Sequence, residues 1–498
     1  MMTRSINKMY PNFPSTASPS TFPPPQVTSL PARPRTLKKP IDYAQPFCDF
    51  LSSNPTVFHA VSAISKSLLS AGFTQLSERS AWRLHQGGKY FVIRNGSSLI
   101  AFTVGTKYDV NNGVAIVAGH VDALTARLKP ISKVDGNAGY TQLGVAPYAG
   151  GLNDTWWDRD LGIAGRVLVK DDKGKVASKL VDLHEPIARI PTLAPHFGAI
   201  SSGPFNQETQ MVPIVGLESD EGSFAELPAD TFAASQPPRL VKAIAGKLAI
   251  SDYSKIVNWE LELYDVTPAT LGGLDKEFIY GGRIDDKLCS WSAIEGLLAS
   301  DPSTSPSSIK CVGLFDDEEI GSLLRQGARG NFLPSTIERI VDTFSNKGGP
   351  AGANLLAQTY ANSFLISADV THAVNPNFLG AYLHNHAPRL NVGLTVSSSG
   401  SGHLTTDAVS TAFLQRIAEK TGAKLQFFQV RNDTREGGTV GPMLSSAMGV
   451  RAVDAGLAQL SMHSIRATCG SLDPGLGVEI FAGFFDHFEA VDAEFRET

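Results

Sequence analysis

The chain alternates between segments whose apolar residues recur every three or four positions and short runs that are apolar throughout. The first pattern predicts helices with one apolar face, and the second predicts strands that are buried on both sides. From residue 41 onward the two kinds of segment follow one another along the chain. This order is typical of an α/β fold with a mostly parallel sheet covered by helices, and we expect such a fold here.

Ionisable residues stand where three of the predicted strands end. These strands span residues 113–120, 308–315 and 362–368. The first ends in His120, and the second is followed at once by the acids of residues 316–319. The third is followed by Asp369 and, three residues on, by His372. Because ligands of open α/β sheets bind beyond the carboxyl ends of the strands, the three strands predict one common site.

Two helical patterns support the predicted sheet. Residues 286–300 carry apolar side chains on one face, with Asp285 or Asp286 as the expected N-cap. Residues 406–421 repeat this pattern, and Gly422 is a typical stop signal for a helix. An acid at a helix N-terminus is locally stabilised, so Asp285 alone would need no further role.

The pattern changes between residues 124 and 273. Turns with glycine and proline separate alternating strands such as residues 165–170, and long helical patterns are fewer. We expect a β-rich second domain over 124–273. Because this domain lies between His120 and Asp285, the first domain must be discontinuous and consist of residues 41–123 and 274–498.

Residues 1–40 have a composition of their own. They hold nine prolines, many Ser and Thr, and six basic residues without a single Asp or Glu. Such a composition predicts a disordered tail. It also resembles an organellar transit peptide, although the prolines at 23–25 interrupt the amphipathic helix that these peptides favour. A flexible tail is the preferred interpretation, and vacuolar or organellar targeting stays open.

The composition narrows the classes of function. The 42% hydrophobic and 18% charged residues suit a globular protein, and no apolar run approaches the ~18 residues that a membrane-spanning helix needs. Lys and Arg number 43 against 48 Asp and Glu, a net charge of −5, with no lysine-rich stripe for a phosphate backbone. The four cysteines form no Cys-x-x-Cys pair, which favours a reducing compartment. We expect a cytoplasmic protein that binds neither membranes nor nucleic acid.

The ionisable residues match the needs of a dinuclear metal hydrolase. Such a site holds two cations about 3.5–4 Å apart, shares a bridging carboxylate and keeps a separate base for the attacking water. Five candidate ligands carry nitrogen or oxygen donors: His120, Asp285, Glu319, Asp369 and His463. Glu318 stays free to act on the water. This donor set favours two Zn²⁺ ions per chain, and Mn²⁺ or Co²⁺ would also be accepted.

Each of these residues also has a structural interpretation. A single histidine after a strand is more often a structural residue than a ligand, and His463 could be a core histidine. The acids of residues 316–319 alone would suit a solvated loop or a helix N-terminus. Four adjacent acids behind an apolar strand are nevertheless costly unless cations or solvent compensate them. Since other segments supply the matching ligands, the combination favours a metal site.

Eight segments, in order and spacing, resemble the aspartyl aminopeptidases, a family of cocatalytic dizinc exopeptidases. The segments are Gly119-His-Val-Asp122, Asp154-Thr-Trp-Trp-Asp-Arg-Asp160, Arg189-Ile-Pro-Thr-Leu-Ala-Pro-His196, Arg283-Ile-Asp-Asp286, Asp316-Asp-Glu-Glu-Ile-Gly-Ser322, Ile366-Ser-Ala-Asp-Val-Thr-His372, Val430-Arg-Asn-Asp-Thr434 and Ser461-Met-His-Ser-Ile-Arg466. The resemblance implies a discontinuous catalytic domain with an inserted dimerisation domain. It also implies peptide substrates and a homo-oligomer, which in the family is a tetrahedral dodecamer.

The resemblance further implies how the metal ligands are shared. Asp285 would bridge the two metals. His120 and Asp369 would complete one site, and Glu319 and His463 would complete the other.

Three other residues receive roles from the same resemblance. Glu318 would be the general base that takes a proton from the bridging water and returns it to the leaving amine. His372 would lie near the substrate. His196, in the inserted domain, would reach the active site of the neighbouring subunit, where it could stabilise the developing oxyanion.

Which N-terminal residue of the substrate the enzyme prefers is left open by the sequence. Residues 391–406 contain no Lys or Arg, although members of the family usually place basic residues there to face an acidic side chain. Arg389, Arg431, Arg435 or a protonated His403 could substitute and bind a substrate carboxylate. With such a cation we expect removal of Asp or Glu, and without it removal of small or neutral residues.

Two other classes of function also stay open. A catalytically silent assembly or cargo protein would keep the fold for oligomerisation, but it has no physical need for clustered acids at strand ends. A non-peptidase amidohydrolase would use the same metal chemistry on a different amide.

Overall fold

The computed structural model describes residues 36–218, 230–345 and 353–495. Most of the expected disordered tail, residues 1–35, lies outside the described residues, and Pro40–Tyr43 forms a short 3-10 helix. No helix in the described ranges is long and apolar enough to cross a membrane. All four cysteines are described, and they are free and buried.

Helices and strands alternate over much of the described chain. The α-helices there are α1 (Ala44–Ser53), α2 (Val57–Ser70), α3 (Pro238–Lys247), α4 (Ile284–Ala299), α5 (Phe332–Ser345), α6 (Ala353–Ala361), α7 (Ala408–Thr421), α8 (Val440–Met448) and α9 (Asp473–Asp492). The strands there are β1 (Thr74–Leu76), β2 (Lys89–Arg94), β3 (Ser98–Val104), β4 (Val114–His120), β5 (Thr125–Lys133), β6 (Tyr140–Tyr148), β7 (Leu161–Lys170), β8 (Val176–Asp182), β9 (Ile214–Leu217), β10 (Ile256–Asp265), β11 (Thr270–Gly272), β12 (Phe278–Gly281), β13 (Ile309–Phe315), β14 (Phe364–Ser367), β15 (Thr371–His372), β16 (Leu394–Ser397), β17 (Leu425–Phe428), β18 (Arg451–Gly456), β19 (Ala458–Gln459) and β20 (Ala467–Gly470).

The largest sheet in the described chain has nine strands, in the order β1-β2-β3-β13-β4-β14-β18-β16-β17. Its central strands β13, β4, β14 and β18 are parallel to one another. β4 and β13 are buried along their whole length, as expected for strands between two layers of helices. The predicted α/β fold with a mostly parallel sheet is confirmed.

Helices cover both faces of this sheet. Ala115 and Val117 of β4 pack into the core that contains α1, α2, α4, α7 and α9. Val114 and Ile116, which alternate with them, pack into the core that contains α5 and α8. A side chain at Gly296 would meet Cβ of Phe481 at 3.0 Å, so this glycine allows α9 to lie close against α4.

A second, antiparallel sheet has the order β8-β7-β10-β5-β6-β9. Its strands come from residues 125–265, within the segment where the sequence predicts a β-rich domain. The boundaries near residues 124 and 273, and a role in dimerisation, stay predictions.

A small sheet joins distant parts of the chain beside α4. Strand β20 pairs with β12, and Ala467 lies opposite Gly281. Because β12 directly precedes α4 and β20 follows the loop of His463, this pairing carries that loop toward the start of α4.

The prediction of Asp285 or Asp286 as the N-cap of α4 is wrong. The N-cap is Arg283, which has left-handed backbone angles (φ 61°, ψ 32°) and no side-chain capping hydrogen bond. The backbone of Asp285 and Asp286 is not helical (ψ 120° and 28°). Their carboxylates are directed toward other ionisable groups instead. The predicted stop signal Gly422 is confirmed as the left-handed C-cap of α7.

Candidate metal centre

The carboxyl ends of β4, β13 and β14 lie side by side in the nine-stranded sheet. Phe315 of β13 is opposite His120 of β4, and Ser367 of β14 is opposite Ala118. A 3-10 turn, Glu318–Ile320, follows β13 almost at once. The sheet therefore delivers ionisable side chains from three strands to one edge, as ligand sites of open α/β folds require.

Asp285 lies between two histidines from distant parts of the chain. Its Oδ1 is 3.3 Å from Nε2 of His120, and its Oδ2 is 3.8 Å from Nε2 of His463. Gln459 donates a hydrogen bond from Nε2 to Oδ2 at 3.1 Å. A carboxylate whose two oxygens face different histidines has the arrangement of a bridging ligand.

Each of these histidines also faces a second acid. Nε2 of His120 is 3.5 Å from Oδ1 of Asp369, and Nε2 of His463 is 3.5 Å from Oε2 of Glu319. The five residues that the sequence named as ligands therefore form two groups that share Asp285.

The donor set fits zinc. Ligand atoms of His120, Asp285 and Glu319 lie within 4.8 Å of one another. Oε1 of Glu319 is buried and has no hydrogen-bond partner among the described residues, so a cation could use it. Imidazole nitrogen and carboxylate oxygen are donors that Zn²⁺ accepts readily, and Mn²⁺ and Co²⁺ accept them as well.

Burial and mutual repulsion disfavour the charged forms of the acids. Burial raises the pKa of Glu319 well above its ordinary value, and the neighbouring charge of Asp285 adds to the effect. Burial also raises the pKa of Asp369. At His120 burial opposes protonation, but the charge of Asp369 and a hydrogen bond to Asp122 outweigh it and raise the pKa. A divalent cation would compensate these buried charges.

Glu318 lies beside the two ligand groups. Its Oε2 is 4.0 Å from Nε2 of His120. Burial is the main cause that raises the pKa of Glu318 to about 8, and repulsion from Asp369 adds to it. A carboxyl group with a pKa near neutrality is suited to take up and release a proton.

Asp286 is a site residue that was not among the ligands named from the sequence. Its Oδ2 accepts hydrogen bonds from the backbone N–H of His120 at 3.3 Å and from Oγ of Ser290 at 3.5 Å. One of its oxygens lies within 4.8 Å of ligand atoms of His120 and Asp369. Burial raises the pKa of Asp286 well above its ordinary value. Its place next to Asp285 is the sequence signal that could have identified it.

Asp122 contacts His120 and the backbone of Glu318 and Glu319 on the side away from the proposed metals. The sequence did not predict this role. Its Oδ1 is 3.3 Å from Nδ1 of His120. The backbone N–H groups of Glu318 and Glu319 donate to its two oxygens at 3.3 and 3.2 Å. Tyr148 donates its hydroxyl to Oδ2 at 2.7 Å. Asp122 thus links one candidate ligand, the candidate base and a tyrosine of the antiparallel sheet.

A cavity of about 350 Å³ adjoins the metal centre, with Asp369 in its wall. Much of the wall is apolar, including Tyr382, Phe428 and Met462. His372 also lines the cavity, and its ring centre is 5.7 Å from that of Phe428. Burial lowers the pKa of His372, which favours the neutral ring.

The four candidate cations for a substrate carboxylate are placed differently. Arg435 lines the cavity. Arg431 instead donates two hydrogen bonds of 2.8 and 2.7 Å to Asp433 and is not among the described residues of the cavity wall. Arg389 is exposed and outside that wall as well.

His403 lies next to the cavity rather than in the described part of its wall. Its Nδ1 is 2.7 Å from Oγ of Ser401 and 3.7 Å from Oε2 of Glu436, which does line the cavity. Hydrogen bonds from Ser399 and Ser401 lower the pKa of Glu436. The cavity wall therefore carries an ionised acid beside His403.

His196 lies in an exposed 3-10 segment, Pro195–Ser201. Its side chain forms no hydrogen bond or ion pair with any described residue of this chain. The neighbouring Leu193, Phe197 and Ile200 are large apolar residues that are also exposed. Within a single chain, therefore, His196 forms no hydrogen bond or ion pair with the other described site residues.

Clustered histidines and acids at the strand ends of this α/β fold define a metal-dependent hydrolase. Residues 50–485 match the family described as aminopeptidase I zinc metalloprotease (M18), and the chain belongs to this family. It is therefore a zinc-dependent aminopeptidase, a metallo-exopeptidase.

Named relatives are similar over most of the chain. Vacuolar aminopeptidase 1 of Saccharomyces cerevisiae is 45% identical, over 92% of this chain and 90% of the relative. Aspartyl aminopeptidase 4 of the same organism is 40% identical, over 91% and 96%. The predicted resemblance to the aspartyl aminopeptidases is confirmed.

Solved structures share the fold. The structure of Chaetomium thermophilum mApe1 is 56% identical, with a TM-score of 0.86 over 92% of this chain and 100% of that one. The structure of the S. cerevisiae mApe1 dodecamer is 40% identical, with a TM-score of 0.81 over 92% and 99%.

Proposed function

We propose that the chain removes N-terminal residues from unblocked peptides and uses two zinc ions per chain to do so. The arrangement of Asp285 carries this proposal, because its two oxygens face His120 and His463. Two cations about 3.5–4 Å apart need such a shared carboxylate between two sets of ligands.

The remaining ligands divide between the two ions. His120 and Asp369 would complete one site, and Glu319 and His463 the other, in keeping with the 3.5 Å distance within each pair. When bound, two zinc ions polarise the scissile carbonyl and make a water molecule more acidic. Mn²⁺ or Co²⁺ could replace zinc at these nitrogen and oxygen donors.

Glu318 is the proposed general base. It takes a proton from the attacking water and later returns it to the nitrogen of the leaving amine. Burial raises the pKa of Glu318 above its ordinary value, which favours uptake of a proton from the water. The hydrogen bond from its backbone N–H to Asp122 fixes its position.

The cavity beside Asp369 is the proposed binding site for the first residue of the peptide. His372 in its wall would contact that residue. The free α-amine of the peptide would bind a metal or pair with a carboxylate of the centre, as expected of an exopeptidase. An acetylated N-terminus has lost this cation and should not be bound productively.

Acidic N-terminal residues are the proposed preference. The relatives named aspartyl aminopeptidases support it. Arg435 supports it as well, since its side chain lines the cavity and forms no hydrogen bond or ion pair with the described residues. An arginine can bind a substrate carboxylate through two parallel hydrogen bonds.

A neutral preference is the second candidate. The apolar walls of the cavity favour it, because they would bury an aliphatic or aromatic side chain well. The acids Glu436 and Asp454 also line the cavity and would repel a substrate carboxylate.

A homo-oligomer is part of the proposal, with His196 acting in the site of a neighbouring subunit. The dodecamer formed by the S. cerevisiae relative supports it. The exposed apolar residues Leu193, Phe197 and Ile200 around His196 support it too, because such groups mark contact surfaces. Because that relative forms a dodecamer, we propose a dodecamer for this chain as well.

A vacuolar place of action is proposed beside the cytoplasmic one that the sequence predicted. The name of one relative, vacuolar aminopeptidase 1, supports it. Fractionation of cells that express the tagged chain would distinguish the two compartments.

A peptide assay tests the central proposal. The zinc-loaded protein is incubated with matched peptides that begin with Asp, Glu, Ala or Leu, each in free and N-acetylated form. Release of the first residue from free peptides alone supports an aminopeptidase. Hydrolysis of the acetylated forms would indicate another amidohydrolase, and a zinc-loaded protein that is inactive on every peptide would indicate a silent assembly protein.

A further inference from the structure

One short segment that leaves the antiparallel sheet contacts the surroundings of both histidine ligands, His120 and His463. Residues 148–155, here called the support segment, begin at the last residue of β6. The proposed ligands lie elsewhere, beyond the carboxyl ends of strands of the nine-stranded sheet, at the start of α4 and in the loop of His463. Three side chains of the support segment form hydrogen bonds to those regions: Tyr148, Asn153 and Thr155.

The first contact runs from Tyr148 to His120. The hydroxyl of Tyr148 donates to Oδ2 of Asp122 at 2.7 Å. Nδ1 of His120 is hydrogen-bonded to the backbone oxygen of Asp122 at 3.2 Å and lies 3.3 Å from Oδ1 of the same residue. All three residues are buried. Because Nε2 of His120 faces the proposed metal, a partner on Nδ1 fixes both the tautomer and the direction of the ring.

Tyr148 is itself held by the antiparallel sheet. The guanidinium of Arg127 on β5 lies 3.7 Å from the centre of its ring. Nε of Arg127 is 3.8 Å from Oε2 of Glu262 on β10. Burial, with the charge of Asp122, raises the pKa of Tyr148, so the hydroxyl keeps its proton and stays a donor.

The second contact runs from the same segment to His463. Nδ2 of Asn153 donates to the backbone oxygen of His463 at 2.8 Å. Oγ1 of Thr155 accepts a hydrogen bond from the backbone N–H of Ile465 at 2.9 Å. His463 has φ 63°, a left-handed conformation that persists in a non-glycine residue only when its surroundings hold it.

We infer that the support segment positions both histidine ligands, Tyr148 through Asp122 and Asn153 through the loop of His463. The inference rests on the proposed two-zinc function. Tyr148 and Asn153 are positioning residues, since neither faces the proposed metals. Partners that orient a ligand from outside change metal affinity or activity by about 10–100-fold when they are removed.

Two conservative substitutions test this inference in the full chain. Tyr148→Phe removes only the hydroxyl. Asn153→Asp removes the donor to His463 but keeps Oδ1, which accepts hydrogen bonds from the backbone and side chain of Thr155. Each should weaken zinc binding about 10–100-fold, measured by competition with a chromogenic chelator. In both variants the fold-decrease in kcat should be larger than the fold-increase in KM.

Tyr264→Phe is the matched control. It removes the hydrogen bond from Tyr264 to Oδ1 of Asp182, at 2.5 Å in the same sheet, and Asp182 is hydrogen-bonded to none of the proposed ligands. This variant should lose thermal stability without losing zinc affinity. If it weakens zinc as much as Tyr148→Phe does, general loosening of the sheet explains the effect and the inference is overturned.

A double-mutant cycle tests whether Tyr148 acts through Asp122. If it does, adding Tyr148→Phe to Asp122→Asn weakens zinc binding by less than twofold. Fully additive losses, or a folded Tyr148→Phe with wild-type zinc affinity, overturn the inference. Should either variant fail to fold, Thr155→Val tests the second contact by the same chelator assay. Wild-type protein that binds fewer than two zinc ions would instead refute the proposed function.

Discussion

The Oδ2 oxygen of Asp285 lies 3.8 Å from Nε2 of His463, while the other oxygen of the same carboxylate faces His120. An asparagine at this position would have one neutral oxygen in place of two that share a negative charge. Asp285→Asn should therefore impair both zinc sites, whereas His463→Ala should chiefly empty one. Elemental analysis after dialysis should give about two zinc ions in the wild type, about one in His463→Ala and fewer in Asp285→Asn. An Asp285→Asn protein with full zinc and full activity contradicts the bridging role.

Glu318 and Glu319 are neighbours with different expected functions. Glu318→Gln should keep its zinc and lose about 10²–10⁴-fold in turnover, the usual range for a positioned base. Glu319→Gln, the same chemical change one residue later, should lose zinc because it removes a ligand. Zinc content and kcat, measured on the same samples, separate the two roles. The opposite pattern of zinc loss would exchange the assignments.

His196 should act across a subunit boundary. His196→Ala and Glu318→Gln chains should each be nearly inactive alone, and mixed oligomers should recover part of the activity because a complete site can form from two chains. Activity is measured after subunit exchange, and native mass spectrometry checks that mixed oligomers are present. No recovery in verified mixtures would mean that His196 serves its own chain or has no catalytic role.

Arg435 decides between the two proposed substrate preferences. If its guanidinium binds the substrate carboxylate, Arg435→Gln should lower kcat/KM for Asp-initiated peptides at least tenfold, about 1.4 kcal/mol, and leave Leu-initiated peptides nearly unchanged. Arg431→Gln is the control, because Arg431 is paired with Asp433 outside the described cavity wall. A wild-type advantage for Asp and Glu below about tenfold would favour the neutral preference.

His59 should make the stability of the fold depend on pH. Burial, with smaller contributions from His184 and Lys66, lowers the pKa of His59 below its ordinary value of 6.5, against the opposing charge of Asp182. The folded chain then binds fewer protons than the unfolded chain at pH values below about 6.5. The stabilising contribution is full above that pH and is lost as the pH falls.

His59→Gln tests this dependence. The difference between thermal midpoints at about pH 7.5 and pH 5 should be smaller in this variant than in the wild type. His384→Gln, at an exposed histidine, should leave that difference unchanged. An unaltered pH dependence in His59→Gln would mean that His59 does not titrate on unfolding as expected.

The strand ends were predictable because the signals there are local. Runs such as residues 113–120 and 308–315 are apolar throughout, and the residues that follow them in the chain must lie at the same edge of a parallel sheet. The residue types then supplied five candidate ligands, and the family resemblance divided them between two metals. The N-cap expected at Asp285 was wrong because the local sequence permits a cap, while the tertiary surroundings turn the carboxylate toward two histidines.

The supporting residues could not be predicted in the same way. Tyr148, Asn153 and Arg127 come from a different sheet, and no spacing in the sequence says which of their side chains meets Asp122 or the loop of His463. Such contacts depend on how two sheets pack, which involves pairs of residues that are far apart in the chain. A position within a family segment does not by itself predict a contact with the substrate. Arg431 lies within such a segment, yet its guanidinium pairs with Asp433.

The pairing of β20 with β12 places His463 beside α4 only when nearly the whole catalytic chain has folded. During synthesis His120 leaves the ribosome long before His463, so an incomplete chain carries one histidine ligand without the other. Contacts between such distant positions form slowly, because closing the long stretch of chain between them costs entropy. Zinc that binds the finished site stabilises the complete fold over every partial one. The aminopeptidase therefore acquires a complete metal centre only at the end of folding, when the rest of the catalytic chain is already packed.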